Sequence, residues 1–419
     1  MSGDVASRAR ELDAADPLGK YRDRFTLPDG VIYLDGNSLG ALPRATPEAM
    51  RRVVEREWGE GLIRSWNDEA SGGAGWFDMA RRVGARIAPL IGAQPDEVVA
   101  CDTVSVNLFK LISAGLSHHR RAGDPQRKVV LSEPGNFPTD LYMIEGLERQ
   151  GLAQRRLAGR EDIEGALDED VALLMLTHAH YKTGELFDME ALTRAAHDAG
   201  ALVLWDLSHS VGALPVDLSA AKADFATGCG YKYLCGGPGA PAFAYVAERH
   251  HAELEQPLTG WFGHARPFAF SDDYEAAPGI EQLQCGTSPI LGLTALDVGV
   301  GLIAEIGIER LCAKSQALSE FFLECLAAHG LDLDLVSPPD SASRGSQLSF
   351  RHNQAYAISQ ALIARGVIGD FRDPDILRLG FAPAYLAFRD IEAAATHVAE
   401  VLASGEWQDE RFASRAAVT

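Results

Sequence analysis

Between residues 128 and 245, short apolar runs alternate with stretches whose apolar residues recur at helical spacing. Lys-Val-Val-Leu-Ser at 128–132 precedes a helical pattern at 139–150, and Val-Ala-Leu-Leu-Met-Leu-Thr at 171–177 precedes another at 189–199. Gly200 is placed to end that second helix, and a third run, Ala-Leu-Val-Leu-Trp-Asp, follows at 201–206. This alternation predicts a mainly parallel sheet with helices on both faces, in which ligands bind beyond the carboxyl ends of the strands. The segments at those exits are polar or aromatic: PGNFPTD at 134–140, THAHYKTG at 177–184 and DLSHS at 206–210. A further apolar run at 223–230 leads into Tyr231 and Lys232, then the glycine-rich GGPGAP and a strand at 242–246.

The most hydrophobic stretch, 289–307, is interrupted by Asp297 and Glu305, which suits a buried helix rather than a membrane span. Ser288 and Pro289 read as its N-cap and first turn. Beyond about residue 300 the pattern turns to helices at 308–329, 354–365 and 389–403 between short strands near Gln347 and Leu377. With 419 residues the chain exceeds one ordinary core. The expected fold is α/β: a large domain over 46–300 with a mostly parallel mixed sheet flanked by helices, and a smaller α+β domain formed by 1–45 and 301–419. The last dozen residues read as a frayed tail.

Charge narrows the possible partners. Thirty-eight basic against 59 acidic side chains give a net charge of −21, which opposes attraction to nucleic acid or anionic membranes. An anionic ligand therefore needs a locally positive site. Six cysteines, none at Cys-x-x-Cys spacing, read as reduced thiols, and the charged N-terminus has no apolar signal core, so a cytoplasmic location is expected.

Most lysines are solvated surface groups, but Lys232 lies between an apolar run and a glycine-rich turn, a setting that favours a neutral, nucleophilic amine. Asp206 ends a strand at the ligand edge, 26 residues earlier. A carboxylate there suits a turn or helix cap equally well; paired with a reactive lysine it also suits pyridoxal phosphate (PLP), whose ring nitrogen must stay protonated. His209, His178 and His180 lack a recognised metal spacing, so no metal is expected.

Taken with its surroundings, DLSH at 206–209 followed by GCGYKYLCGGPGAP at 228–241 resembles the lysine motif of kynureninases, fold-type I PLP enzymes. LDGNSLG (34–40), IRSWN (63–67), FPTD (137–140), YKTG (181–184), GWFGH (260–264) and RLGFAP (378–383) resemble kynureninase segments in the same order, so the likeness spans nearly the whole chain.

The resemblance implies that Lys232 bonds the cofactor aldehyde, Asp206 holds the pyridine nitrogen with Asp140 nearby, and Phe137 stacks on the ring. It implies further cofactor contacts from Val104, Ser105, Thr177, His209, Tyr231, Trp261 and Thr287, with Trp261 and Thr287 coming from the neighbouring subunit of a homodimer whose sites lie at the interface. Arg378 would clamp the substrate carboxylate, as guanidinium geometry suits, and Ser38, Trp66 and Asn67 would border the substrate pocket. Tyr231 would be a proton donor with a lowered pKa. The implied reaction is hydrolysis of the Cβ–Cγ bond of L-kynurenine, or its 3-hydroxy form, within tryptophan catabolism and NAD biosynthesis. Position 235 is Cys where relatives more usually carry Asn. The alternative reading is a cysteine desulfurase or selenocysteine lyase, but the stretch 337–347, where such enzymes carry a nucleophilic cysteine, has none.

Overall fold

The computed structural model describes residues 2–67 and 75–415. Seven strands form the main sheet, in the order Val98–Ala100, Phe243–Val246, Phe225–Gly228, Leu202–Asp206, Val171–Thr177, Val129–Ser132 and Gln154–Leu157. The last five are mutually parallel, whereas Phe243–Val246 runs antiparallel to both neighbours. All seven residues of Val171–Thr177 and all five of Leu202–Asp206 are buried, because helices cover both faces of the sheet; this is why the strands read as continuous apolar runs.

The helices start where the sequence offers caps. The Thr103 hydroxyl accepts from the Val106 N–H at 3.3 Å to open Val104–Arg121, and Asp188 accepts from the Ala191 N–H at 2.9 Å to open Met189–Asp198. Gly200, at φ +77°, follows that second helix, as its position suggests. The helix expected at 289–307 is Ile290–Ile306, but Ser288 does not cap it; Pro289 occupies the cap position without a side-chain bond, and Gly307 turns the chain into Ile308–Ala328 at 80°. Among the described residues no single helix is long and apolar enough to cross a membrane.

A second, antiparallel sheet orders Asp334–Leu335, Gln347–Arg351, Ile376–Gly380 and Asp370–Arg372. The first and last of these strands escaped the sequence reading because each has only two or three residues, too few to show an alternation. Ile32–Tyr33 pairs in parallel with Val367–Ile368, and the N-terminal helix Ser2–Ala15 packs on Phe388–Ser404. The expected frayed tail is partly wrong: Phe412 is buried in the core and Arg415 pairs with Asp373 at 2.8 Å, so one buried ring and an ion pair tie the chain down as far as 415. Residues 416–419 lie outside the described part.

Candidate active site

The parallel register sets Thr177 beside Asp206, and Asp206 beside Thr227, at the carboxyl edge of the sheet. Loops leaving that edge supply Phe137 and Ser208–His209, while Tyr231 and Lys232 follow the strand Phe225–Gly228. Together with Thr103, Val104 and Ser105 at the start of a long helix, and with Thr139, Tyr181 and Cys229, they line a cavity of about 250 Å³. The N-terminal segment closes on the lysine loop through the Gly40 N–H, which donates to the Tyr231 carbonyl at 2.8 Å. A Cβ at Gly40 would stand 2.2 Å from the Lys232 carbonyl, so only glycine fits this approach.

Lys232 is buried, with Nζ 2.9 Å from His209 Nε2 and 5.8 Å from the centroid of the Phe137 ring. Burial, and then the Lys232 charge, pushes the His209 imidazole well below its usual range, so it is neutral. With Nζ donating to Nε2, the ring proton sits on Nδ1, and that buried nitrogen has no partner. Asp140, fully buried in the first turn of Pro138–Arg149, stands against Asp206. Burial raises both carboxyl groups, and the Asp206 charge raises Asp140 further, so Asp140 is the more readily protonated of the two. Thr177 Oγ1 lies 2.6 Å from Asn136 Oδ1 and 3.2 Å from Asp140 Oδ2. Asp206 Oδ1 also accepts from the Ser208 N–H at 2.7 Å, so the turn role and the ligand role occur in one carboxylate.

Tyr231 departs from expectation. Burial, with Cys229 beside it, raises its phenol rather than lowering it, so the hydroxyl keeps its proton. His178 and His180 serve the scaffold: His178 Nδ1 meets Ser210 Oγ at 2.9 Å and His180 Nε2 meets the Gly135 carbonyl at 3.0 Å. Burial lowers both to about 4.

These features fit PLP. Lys232 offers an amine at the cavity, and the carboxyl pair retains a negative charge that a ring N–H cation would neutralise. His209 Nδ1 offers a donor without an acceptor, and the N-terminus of the 18-residue helix Val104–Arg121, with Ser105 and Thr103, offers amides and hydroxyls to a phosphate. Among the described residues lining the cavity Lys232 is the only Lys or Arg, so the helix N-terminus supplies the positive field for an anion.

Arg378 lies in a separate cluster behind Tyr181. Asp370 and Arg378 face each other on adjacent antiparallel strands. Arg378 Nε donates to Asp370 Oδ1 at 2.8 Å, Nη2 donates to Asp370 Oδ2 and to Ser38 Oγ at 2.9 Å, and Nη1 donates to the Tyr181 carbonyl at 2.6 Å. Arg372 Nη2 also reaches Asp370, and Ser38 Oγ at 3.1 Å. The Arg378 pair keeps Asp370 below the ordinary carboxylate range against the opposing effect of burial, while burial and the Asp370 charge raise Asp35 to about 7.

The structure thus brings Lys232, Tyr231, Asp206, His209, Thr177, Phe137, Val104 and Ser105 to one cavity, with Asp140 directly behind it and Ser38 joined to Arg378. It does not bring Trp66, Asn67, Trp261 or Thr287 there. Trp66 packs on Trp76 and Phe262, with ring centroids 5.6 and 5.7 Å apart, while Asn67, Trp261 and Thr287 are exposed. Sequence reasoning missed Asn136, Thr139, Ser208, Cys229, Asp370 and Arg372 as site residues. Asp370 and Arg372 carried a readable signal, since DFRDP lies just upstream of Arg378. Cys235, the departure noted in the sequence, sits at φ +55°, a left-handed conformation that Asn tolerates better.

Residues 311–398 match a model of the kynureninase C-terminal domain. Two relatives called kynureninase, from Burkholderia mallei and Pseudomonas fluorescens, are 49% identical over 98% of this chain and 99% of theirs, and 48% identical over 97% and 98%. Among solved structures, a cysteine desulfurase from Thermococcus onnurineus superposes with a TM-score of 0.77 at 20% identity, over 92% of this chain and 98% of its own. A variant of C-DES with glycine covalently linked to its PLP cofactor superposes with a TM-score of 0.78 at 17% identity, over 90% and 99%. These structural likenesses show the fold-type I architecture.

Proposed function

The chain belongs to the kynureninase family, and on that premise we propose a role for each of its site residues. It is a PLP-dependent hydrolase that cleaves the Cβ–Cγ bond of L-kynurenine to give anthranilate and L-alanine. The observation that carries the assignment of residues is the 2.9 Å pairing of Lys232 with His209 in a cavity backed by the buried Asp206 and Asp140 carboxyl groups.

When bound, the cofactor supplies an aldehyde for the substrate amine and a cationic ring that takes up the electron pair left at the α-carbon. With the cofactor bound, Lys232 would hold its aldehyde and, once displaced by the substrate amine, would take the α-proton and return a proton to that carbon as L-alanine forms. Asp206, supported by Asp140 and Thr177, would keep a proton on the ring nitrogen. His209 would donate to the cofactor from Nδ1, Phe137 would support its ring, and Val104, Ser105 and Tyr231 would hold its phosphate. Water adds to the γ-carbonyl of the substrate. As anthranilate leaves, Tyr231 gives to the β-carbon the phenolic proton that burial keeps on it. Arg378, with Ser38, holds the substrate end that bears the carboxylate.

Two copies complete the site in this reading, with Trp261 and Thr287 of one serving the cavity of the other. The exposed aromatic group Trp261, Phe268 and Phe270, at 49, 65 and 73% exposure, supports such an interface. Because Trp66 packs on Phe262, Trp66 and Asn67 travel with that loop. Residues 1–45 and 301–419 make up the small domain, supported by the pairing of Ile32–Tyr33 with Val367–Ile368. The enzyme acts in the cytoplasm in tryptophan catabolism, and serves NAD biosynthesis where it accepts the 3-hydroxy substrate.

Purified holoenzyme given L-kynurenine should release fluorescent anthranilate and an equal amount of L-alanine. Absence of both from PLP-loaded protein would overturn the reading.

A further inference from the structure

Lys110 is a buried amine that the proposed chemistry leaves unused. It lies on Val104–Arg121, the helix whose N-terminus faces the cavity, and its side chain is 0% exposed. Nζ donates to Asp102 Oδ2 at 2.7 Å, to the Leu283 carbonyl at 2.6 Å and to Cys101 Sγ at 3.6 Å, which places all three of its protons. Burial works against the charge, but Cys101 and Asp102 outweigh it and hold the amine above its ordinary value. The group is a fixed cation rather than a nucleophile.

Its partners form the turn that opens the helix. Asp102 stands at φ +51°, a left-handed conformation that few side chains adopt. The Asp102 carbonyl accepts from the Ala242 N–H at 3.0 Å, the Cys101 carbonyl from Asn107 Nδ2 at 2.9 Å, and the Thr103 carbonyl from the Asn107 N–H at 2.9 Å. Thr103, Val104, Ser105 and Ala242 line the cavity, whereas Asn107 and Lys110 hold the 101–103 turn without lining it. Charge matters at this place. The Asp102 carboxylate, 27% exposed and two residues ahead of Val104, opposes any anion at the same helix N-terminus, and the described lining has no Lys or Arg besides Lys232 to offset it.

We propose that Lys110 is a positioning residue for the cofactor phosphate: it neutralises Asp102 and fixes the 101–103 turn, so that the helix N-terminus and the Thr103 and Ser105 hydroxyls meet the phosphate free of an opposing charge. This rests on the phosphate binding at Val104 and Ser105, as the proposed function has it. Lys110 acts through Asp102 and the turn, from outside the cavity.

The test titrates the full-length chain, stripped of cofactor, with PLP and with pyridoxal, which offers Lys232 the same aldehyde but lacks the phosphate; binding is read from cofactor absorbance. Lys110→Met should weaken PLP on the order of 10- to 100-fold and leave pyridoxal within about twofold. Adding Asp102→Asn to that variant should bring PLP back to within about threefold of wild type, and Asp102→Asn alone should bind PLP at least as tightly as wild type. Equal losses for PLP and pyridoxal would mark a merely structural role and overturn the proposal, as would an unchanged PLP affinity in Lys110→Met. Should Lys110→Met not fold, Asp102→Asn still decides: PLP weakened by about tenfold would mean that the carboxylate aids the phosphate, and the proposal fails. A wild type that binds PLP no tighter than pyridoxal would overturn the placement of the phosphate and the proposal with it. A wild type that releases no anthranilate would overturn only the family reaction, since the PLP and pyridoxal ratios still decide the role of Lys110.

Discussion

The Lys232 cavity and the Asp370 cluster lie on either side of Tyr181, yet they treat buried charge in opposite ways. In the cavity, burial drives groups toward their neutral forms: His209 is lowered, Asp140 and Asp206 are raised, and His209 Nδ1 lacks a partner. In the cluster, burial is outweighed by pairing, so Asp370 is lowered and Arg378 raised, and every Asp370 oxygen is bonded. The first region is arranged for proton transfer; the second is a fixed electrostatic frame. Chemistry needs groups that can change charge, and recognition needs groups that cannot.

Substitutions should separate the two regions. The largest effect on turnover is expected from Lys232→Ala, which should lower kcat by at least about three orders of magnitude while PLP still binds, measured by anthranilate fluorescence and cofactor absorbance. Asp370→Ala should instead strike the frame. It strands the buried Arg378 guanidinium and should cost about 3–5 kcal/mol of unfolding free energy, seen by denaturant titration of the holoenzyme. A Lys232→Ala loss of stability comparable to that of Asp370→Ala would erase the contrast.

Acid should act on the cavity side. His178 donates its backbone N–H to the Asp206 carbonyl, and burial lowers its imidazole to about 4. Between an unfolded value near 6.5 and about 4 the unfolded chain binds the extra proton, so stability falls as pH drops through that window. The size is up to about 3 kcal/mol, and His178→Asn should flatten the slope in pH-dependent unfolding. Asp35, raised to about 7, has the opposite sign: its contribution is full below about 4 and is lost as pH rises to about 7. The smallest effect is expected at Cys235, whose φ of +55° a β-carbon strains, next to a Tyr385 hydroxyl without a partner. Cys235→Asn should add about 0.5–1 kcal/mol, measured as a raised Tm with unchanged kcat.

The two regions also differed in how far the sequence revealed them. The cavity residues sit in long apolar strands and their exits, so periodicity alone placed Asp206, Thr177 and the Tyr231–Lys232 pair at one sheet edge. Local pattern could not show that Asp140 and Asp206 would meet, because that contact joins a helix start to a strand end across the fold. The cluster was harder to read. Asp370 and Arg372 sit in a three-residue strand, and only its antiparallel register turns Asp370 toward Arg378 and brings in Ser38 from more than 300 residues away. Burial raises the Tyr231 phenol because the lining side chains include no cation besides Lys232 to offset it, and the lining is set by the fold rather than by local pattern. Trp66 and Trp261 were legible as motif residues, but their packing away from this cavity depends on tertiary contacts.

The central claim is that Lys232 carries the cofactor. Reducing the holoenzyme with borohydride fixes the cofactor on the lysine it has bonded, and peptide mapping by mass spectrometry then locates it. The label is predicted on Lys232 in essentially every chain. A label on another lysine, such as the buried Lys110 or the neighbouring Lys182, or none on PLP-loaded active enzyme, would contradict the account.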